Sequence, residues 1–79
     1  MACLRDFAPG AALVVRGFAA DLAPALRGHL MAWGLMPGTP IQLLAQSPVT
    51  RIAIEYTELA LEDVAARAIL VDPAPAAHP

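Results

Sequence analysis

Seventy-nine residues make one small domain, and a chain that short buries only about 60 to 65% of its unfolded surface on folding. Hydrophobic residues reach 58% and charged residues only 15%, against usual shares of about 45 to 50% and about 25%. The net charge is −2 and the five basic residues, all arginine, are scattered over positions 5, 16, 27, 51 and 67, which argues against a nucleic-acid surface or a polybasic membrane anchor; the single cysteine, Cys3, excludes an intramolecular disulfide and a cysteine zinc cage.

In chain order, Met1 to Phe7 read as a lead-in, and Pro9-Gly10 as a turn releasing a first strand over Ala12 to Arg16 with Leu13 and Val15 on one side. Gly17 is expected to end that strand and Phe18 to close one end of the core. Pro24 suits a first helical turn, where its missing N–H has no intrahelical partner anyway. The spacing predicts a helix over Pro24 to Trp33, with Leu26, Leu30 and Trp33 at i, i+4 and i+7 on a buried face and Arg27 and Met31 beside it. Gly34 fits the left-handed position just past a helix C-terminus, and Pro37-Gly38 fits the middle of a type II turn.

After that turn Ile41, Leu43 and Ala45 alternate with Gln42, Leu44 and Gln46, and Ser47 to Thr50 reverse the chain. Ile52, Ile54 and Tyr56 alternate with Arg51, Ala53 and Glu55, the period of a strand with one wet face. Leu59 and Leu61 continue in a short strand, Glu62 to Arg67 form one helical turn, and Ile69 and Val71 form the closing strand. Asp72 to Pro79 reads as a frayed tail. The pattern predicts a mainly β fold with one helix, in which about five short strands form a small, partly open barrel plugged by that helix. It is one domain over 1–79, with an ordered core over about 9–71 and a flexible tail over 72–79. Its expected core is Leu13, Val15, Leu26, Leu30, Leu35, Ile41, Leu43, Ile52, Ile54, Leu61, Ile69 and Val71.

The sequence carries no catalytic constellation. His29 and His78 pair with no nucleophile, Ser47 precedes a proline in a turn, and the glycines form no phosphate cradle. Glu55, Glu58, Glu62 and Asp63 form a loose acidic group without the spacing of an ion loop, so we expect neither a metal site nor a cofactor. The uncharged stretch from Gly28 to Val49 is broken by three prolines and three glycines and does not read as membrane-spanning; Arg5, Asp6, Pro9 and Gly10 interrupt any leader-like apolar run. The excess of apolar residues instead points to a partner surface and to self-association into a homo-oligomer. That partner surface is expected at the helix end, on Trp33, Leu35, Met36 and Pro37 with Arg27 nearby, held by Gly34 and Gly38 as structural turn residues.

Ala25-Leu26-Arg27 with Leu30, followed by Trp33-Gly34-Leu35-Met36-Pro37-Gly38-Thr39, resembles the basic-leucine helix and leucine-glycine-leucine-x-proline-glycine-threonine signature of the ferrous iron transport protein A family, FeoA. Thr57-Glu58-Leu59-Ala60-Leu61, then Ala66, Ile69 and Val71, resembles the second signature of that family. Glu62 stands where the family often has arginine, and Tyr56 where it often has glycine. The resemblance implies an SH3-like barrel, a cytoplasmic location, and a non-enzymatic accessory role toward the FeoB ferrous iron transporter, a membrane protein with a cytoplasmic GTPase domain. The same resemblance leaves a second reading, a solitary regulatory or peptide-binding module related to the C-terminal SH3-like domain of metal-dependent repressors.

Overall fold

The computed structural model describes residues 2–75. Five antiparallel strands form one sheet: β1 (Ala12–Phe18), β2 (Pro40–Ala45), β3 (Thr50–Ile54), β4 (Thr57–Leu61) and β5 (Ile69–Pro73), in spatial order β4-β3-β2-β1-β5. Alternate residues of each strand turn inward, so Leu13, Val15, Ile41, Leu43, Ile52, Ile54, Leu61, Ile69 and Val71 are all buried. Register shifts between Val15 and Gly17 and between Leu43 and Ala45 bend the sheet around this core. Helix α1 (Pro24–Ala32) crosses from β1 to β2, and a short helix α2 (Asp63–Ala68) runs directly from β4 into β5, the two outermost strands. Ala65, Ala66 and Ala68 of α2 are buried, their small side chains letting the helix lie close to the sheet, and the Ala19 N–H donates to the Ala68 carbonyl at 2.8 Å.

Gly17 does not end β1. The strand absorbs it in the bulge and continues to Phe18, pairing Gly17 with Leu70. The lead-in is likewise part of the domain. Leu4 is fully buried in a 3-10 turn over Leu4–Asp6, Cys3 pairs with Leu70, and the Val71 N–H donates to the Ala2 carbonyl at 2.9 Å. The turn is closed by Asp6, whose carboxylate accepts the Cys3 N–H at 2.8 Å; that hydrogen bond holds the Asp6 pKa below the ordinary carboxylate value.

Gln46 anchors the same segment from the far side of the β2–β3 reversal. Its Nε2 donates to the carbonyls of Leu4 at 2.7 Å and Phe7 at 3.0 Å, while its Oε1 accepts from the buried Thr50 hydroxyl at 2.9 Å and from Arg5 Nη1 at 3.0 Å. One amide thus joins the lead-in to the barrel.

At the other end, the expected tail begins inside β5: Asp72 lies in that strand and pairs with Arg16 at 2.8 Å. His78 and the rest of 76–79 lie outside the described residues. Of the expected core positions, Leu26 is only partly buried, and Leu22 and the three α2 alanines join the core in addition.

Candidate functional site

The surface around the end of α1 is built by backbone geometry that only glycine adopts readily. Trp33 is the C-cap, and the chain leaves the helix through Gly34 at φ +103°. The Gly34 N–H donates to the Met31 carbonyl at 3.0 Å and the Leu35 N–H to the Leu30 carbonyl at 3.0 Å, the paired closure of a Schellman motif. A Cβ at Gly34 would meet Ile54 Cγ2 only at 3.9 Å, so conformation and not space requires glycine here. Next, the Thr39 N–H donates to the Met36 carbonyl at 3.0 Å across Pro37 and Gly38, with Gly38 at φ +92°. This is the type II turn expected from Pro-Gly. The Gly38 N–H donates to the Val15 carbonyl at 2.7 Å and the Val15 N–H to the Thr39 carbonyl at 2.9 Å, which fastens the turn to β1.

That geometry sorts the five expected contact residues. Leu35 is fully buried and presents nothing to a partner; the Schellman closure folds the residue after the cap back toward Leu30 and into the core. Trp33 is 52% exposed and Met36 44% exposed, with Pro37 also at the surface and Met31 partly so. At about 100° per residue, Arg27 and Met31 lie on one flank of α1, roughly 120° to 160° around the axis from Trp33. The Arg27 side chain is partly buried and its Nε has no hydrogen-bond partner. Trp33 turns the other way, over a cleft of about 220 Å³ that it shares with Leu26 and Leu30 of α1, Ala60 and Leu61 of β4, Glu62, and Ala65 of α2. The exposed His29 ring lies 6.3 Å from the indole, tilted by 31°.

The acidic group does not converge. Glu58 pairs with Arg51 at 3.5 Å, and Asp63 bridges Arg5 and Arg67. Among the described residues no cluster of three or more His, Cys, Asp or Glu is placed to hold a metal ion. No helix among them is long and apolar enough to cross a membrane.

A family model, described as the FeoA domain, matches residues 3–73. The chain belongs to the FeoA family. No curated protein matches it. Among solved structures, the FeoA domain is similar to FeoA from Chlorobium tepidum, at 24% identity and a TM-score of 0.82 over 96% of this chain and 73% of that one. It is similar to Stenotrophomonas maltophilia FeoA, an SH3 domain protein solved with zinc, at 21% identity and a TM-score of 0.78 over 91% of each chain. ScaR, solved with cadmium, is similar at 19% identity and a TM-score of 0.77 over 91% of this chain, which spans 35% of ScaR. The fold is therefore the SH3-like barrel of FeoA, with α1 inserted between its first two strands.

Proposed function

We propose that this FeoA-family chain is a cytoplasmic accessory of ferrous iron uptake that docks on the cytoplasmic part of a FeoB transporter through the end of α1. The family match over residues 3–73 carries this reading, since the family is one of ferrous iron transport. The Stenotrophomonas maltophilia relative is described as a candidate activating factor of bacterial ferrous iron transport, which agrees with it. Within the site, Trp33, Met36 and Pro37 put a large indole, a pliable thioether and a rigid turn on the surface, the kinds of group that supply binding energy at protein contacts. They stand on a turn fixed to both α1 and β1, so docking orders little new chain. Arg27 lies on a different flank of α1 from Trp33, roughly 120° around the axis, so its guanidinium would meet a carboxylate only of a partner that reaches around the helix.

Met36→Asp tests the reading. The residue is exposed, so the variant keeps its unfolding free energy within about 0.5 kcal/mol of the parent. An aspartate in an apolar contact must be desolvated, so transporter-dependent iron uptake is lost. Uptake that survives in a folded, normally expressed variant moves the contact elsewhere on the barrel. The likeness to ScaR supports the second reading, a free-standing regulatory module; on that reading the chain captures a soluble regulator or peptide and leaves transporter-dependent uptake unchanged when deleted.

A further inference from the structure

We infer that the groove between α1 and α2 takes a basic amphipathic segment of the transporter, drawn from the cytoplasmic stretches next to its membrane spans. The inference rests on the docking reading above and names the part of the partner that enters. The Trp33 cleft, of about 220 Å³, has a neighbour: a second hollow of about 400 Å³, walled by Ala19, Leu22 and Leu26 on one side and by Val64 and Ala68 of α2 on the other. Leu26 is only partly buried and borders both hollows, which makes them two compartments of one groove. Ala23, Leu26, Leu30 and Trp33 follow each other at three- and four-residue steps, so a single face of α1 forms its length.

That face is about 15 Å long, enough for two to three turns of a docked helix. Apolar side chains one turn or two apart on such a helix would enter the hollows on either side of Leu26. The groove is also continuous with the proposed contact surface. Trp33, 52% exposed, belongs to both, and Val64, 59% exposed, stands on the opposite wall toward the far end.

Charge decides what flanks those apolar side chains. Asp21 lines one hollow and Glu62 the other, and neither carboxylate has a cationic partner among the described residues. Arg67, the one cation of the lining, is held by Asp63. The groove is therefore apolar within and uncompensated negative at each compartment. It complements a segment that sets lysine or arginine beside its apolar face. In a membrane protein such residues are in excess in the cytoplasmic stretches next to the spans, and amphipathic helices with basic polar faces lie at that level of the membrane. A second copy of this chain is a poorer match, since four of its five arginines are already paired with its own carboxylates.

Synthetic peptides covering the span-flanking cytoplasmic stretches of the transporter, titrated into the full chain with emission of the lone Trp33 as the readout, test the inference. We expect one of them to bind saturably and to shift Trp33 to the blue, with affinity falling roughly tenfold or more as salt rises from about 0.05 to about 0.5 M. Val64→Lys replaces an exposed side chain, so it should stay folded and weaken that binding roughly tenfold or more. Asp21→Asn with Glu62→Gln removes no ion pair and no side-chain helix cap, and should weaken binding while flattening its salt dependence. Peptide binding that ignores these substitutions would overturn the inference. The cytoplasmic part of the transporter, titrated in parallel, separates the two readings: if it binds parent and Val64→Lys equally while no peptide binds, the groove falls and the docking stands. If neither the peptides nor the cytoplasmic part bind, both fall. A Trp33 blue shift on concentrating the chain alone, without response to the peptides, would give the groove to a second copy and overturn the inference.

Discussion

Gln46→Ala removes the side chain that ties the lead-in carbonyls to the barrel. The substitution removes two hydrogen bonds to the Leu4 and Phe7 carbonyls, one from the Thr50 hydroxyl and one from Arg5. The Arg5 bond is exposed and water replaces it at little cost. The other three are partly buried, and Thr50 is only 2% exposed, so its hydroxyl loses the amide in a place water reaches poorly. At about 0.5 to 1.5 kcal/mol net for each bond, the three sum to roughly 1.5 to 4.5 kcal/mol. For a domain of this size, at about 4 to 8 °C per kcal/mol, that is a drop in Tm of roughly 6 to 36 °C. Urea unfolding followed by Trp33 emission reads it directly, and Gln46→Glu serves as the companion. The glutamate keeps the acceptors for Thr50 and Arg5 but loses the donors and sets a carboxylate against two carbonyls, so it also destabilises. A loss under about 0.5 kcal/mol for Gln46→Ala would refute the reasoning, since it would mean that water substitutes for the amide throughout.

Leu30→Ala should cost roughly 2 to 5 kcal/mol in the same assay, because Leu30 is 1% exposed and its truncation leaves a cavity in the core; a change under about 0.5 kcal/mol would misplace the buried face of α1. Acid sensitivity follows from Asp6. Its folded pKa lies below its unfolded value of about 3.9, so its stabilisation is complete above that value and is lost as pH falls through the folded pKa. Asp6→Asn should therefore lower stability at neutral pH and flatten the acid limb below about pH 4, while unchanged pH profiles in paired unfolding series would remove the cap from the account. Anaerobic calorimetry with ferrous iron should find no stoichiometric site of micromolar affinity or better in the isolated chain, given donors that do not converge among the described residues; such a site would contradict this.

The helix end was legible because glycine and proline act through the backbone, independently of what packs around them. Gly34 and Gly38 take the positive φ values that their sequence positions demand, and the period-two strands place their apolar residues inward. Leu4 was not legible, since one leucine between Cys3 and Arg5-Asp6 has no periodicity to mark it; its side chain joins the core and its carbonyl is held by Gln46, more than forty residues away. Gln46 itself looks like any polar residue at a strand end. Gly17 reads as a break because glycine weakens strands, yet a bulge makes use of that same freedom. Spacing alone put Trp33 on the buried face with Leu26 and Leu30. It does share their flank, but at the last position of a short helix it overhangs the cleft and stays half exposed. Leu35 stood in both the expected core and the expected contact surface, and the core reading holds, its burial set by the Schellman closure.

Titration of the purified chain against the cytoplasmic part of a FeoB transporter from the same organism, with the parent and Met36→Asp side by side, tests the central claim most directly. The account predicts saturable binding by the parent, and its loss in a variant whose unfolding midpoint is unchanged. Absence of binding by the parent, or equal binding by both, would contradict it.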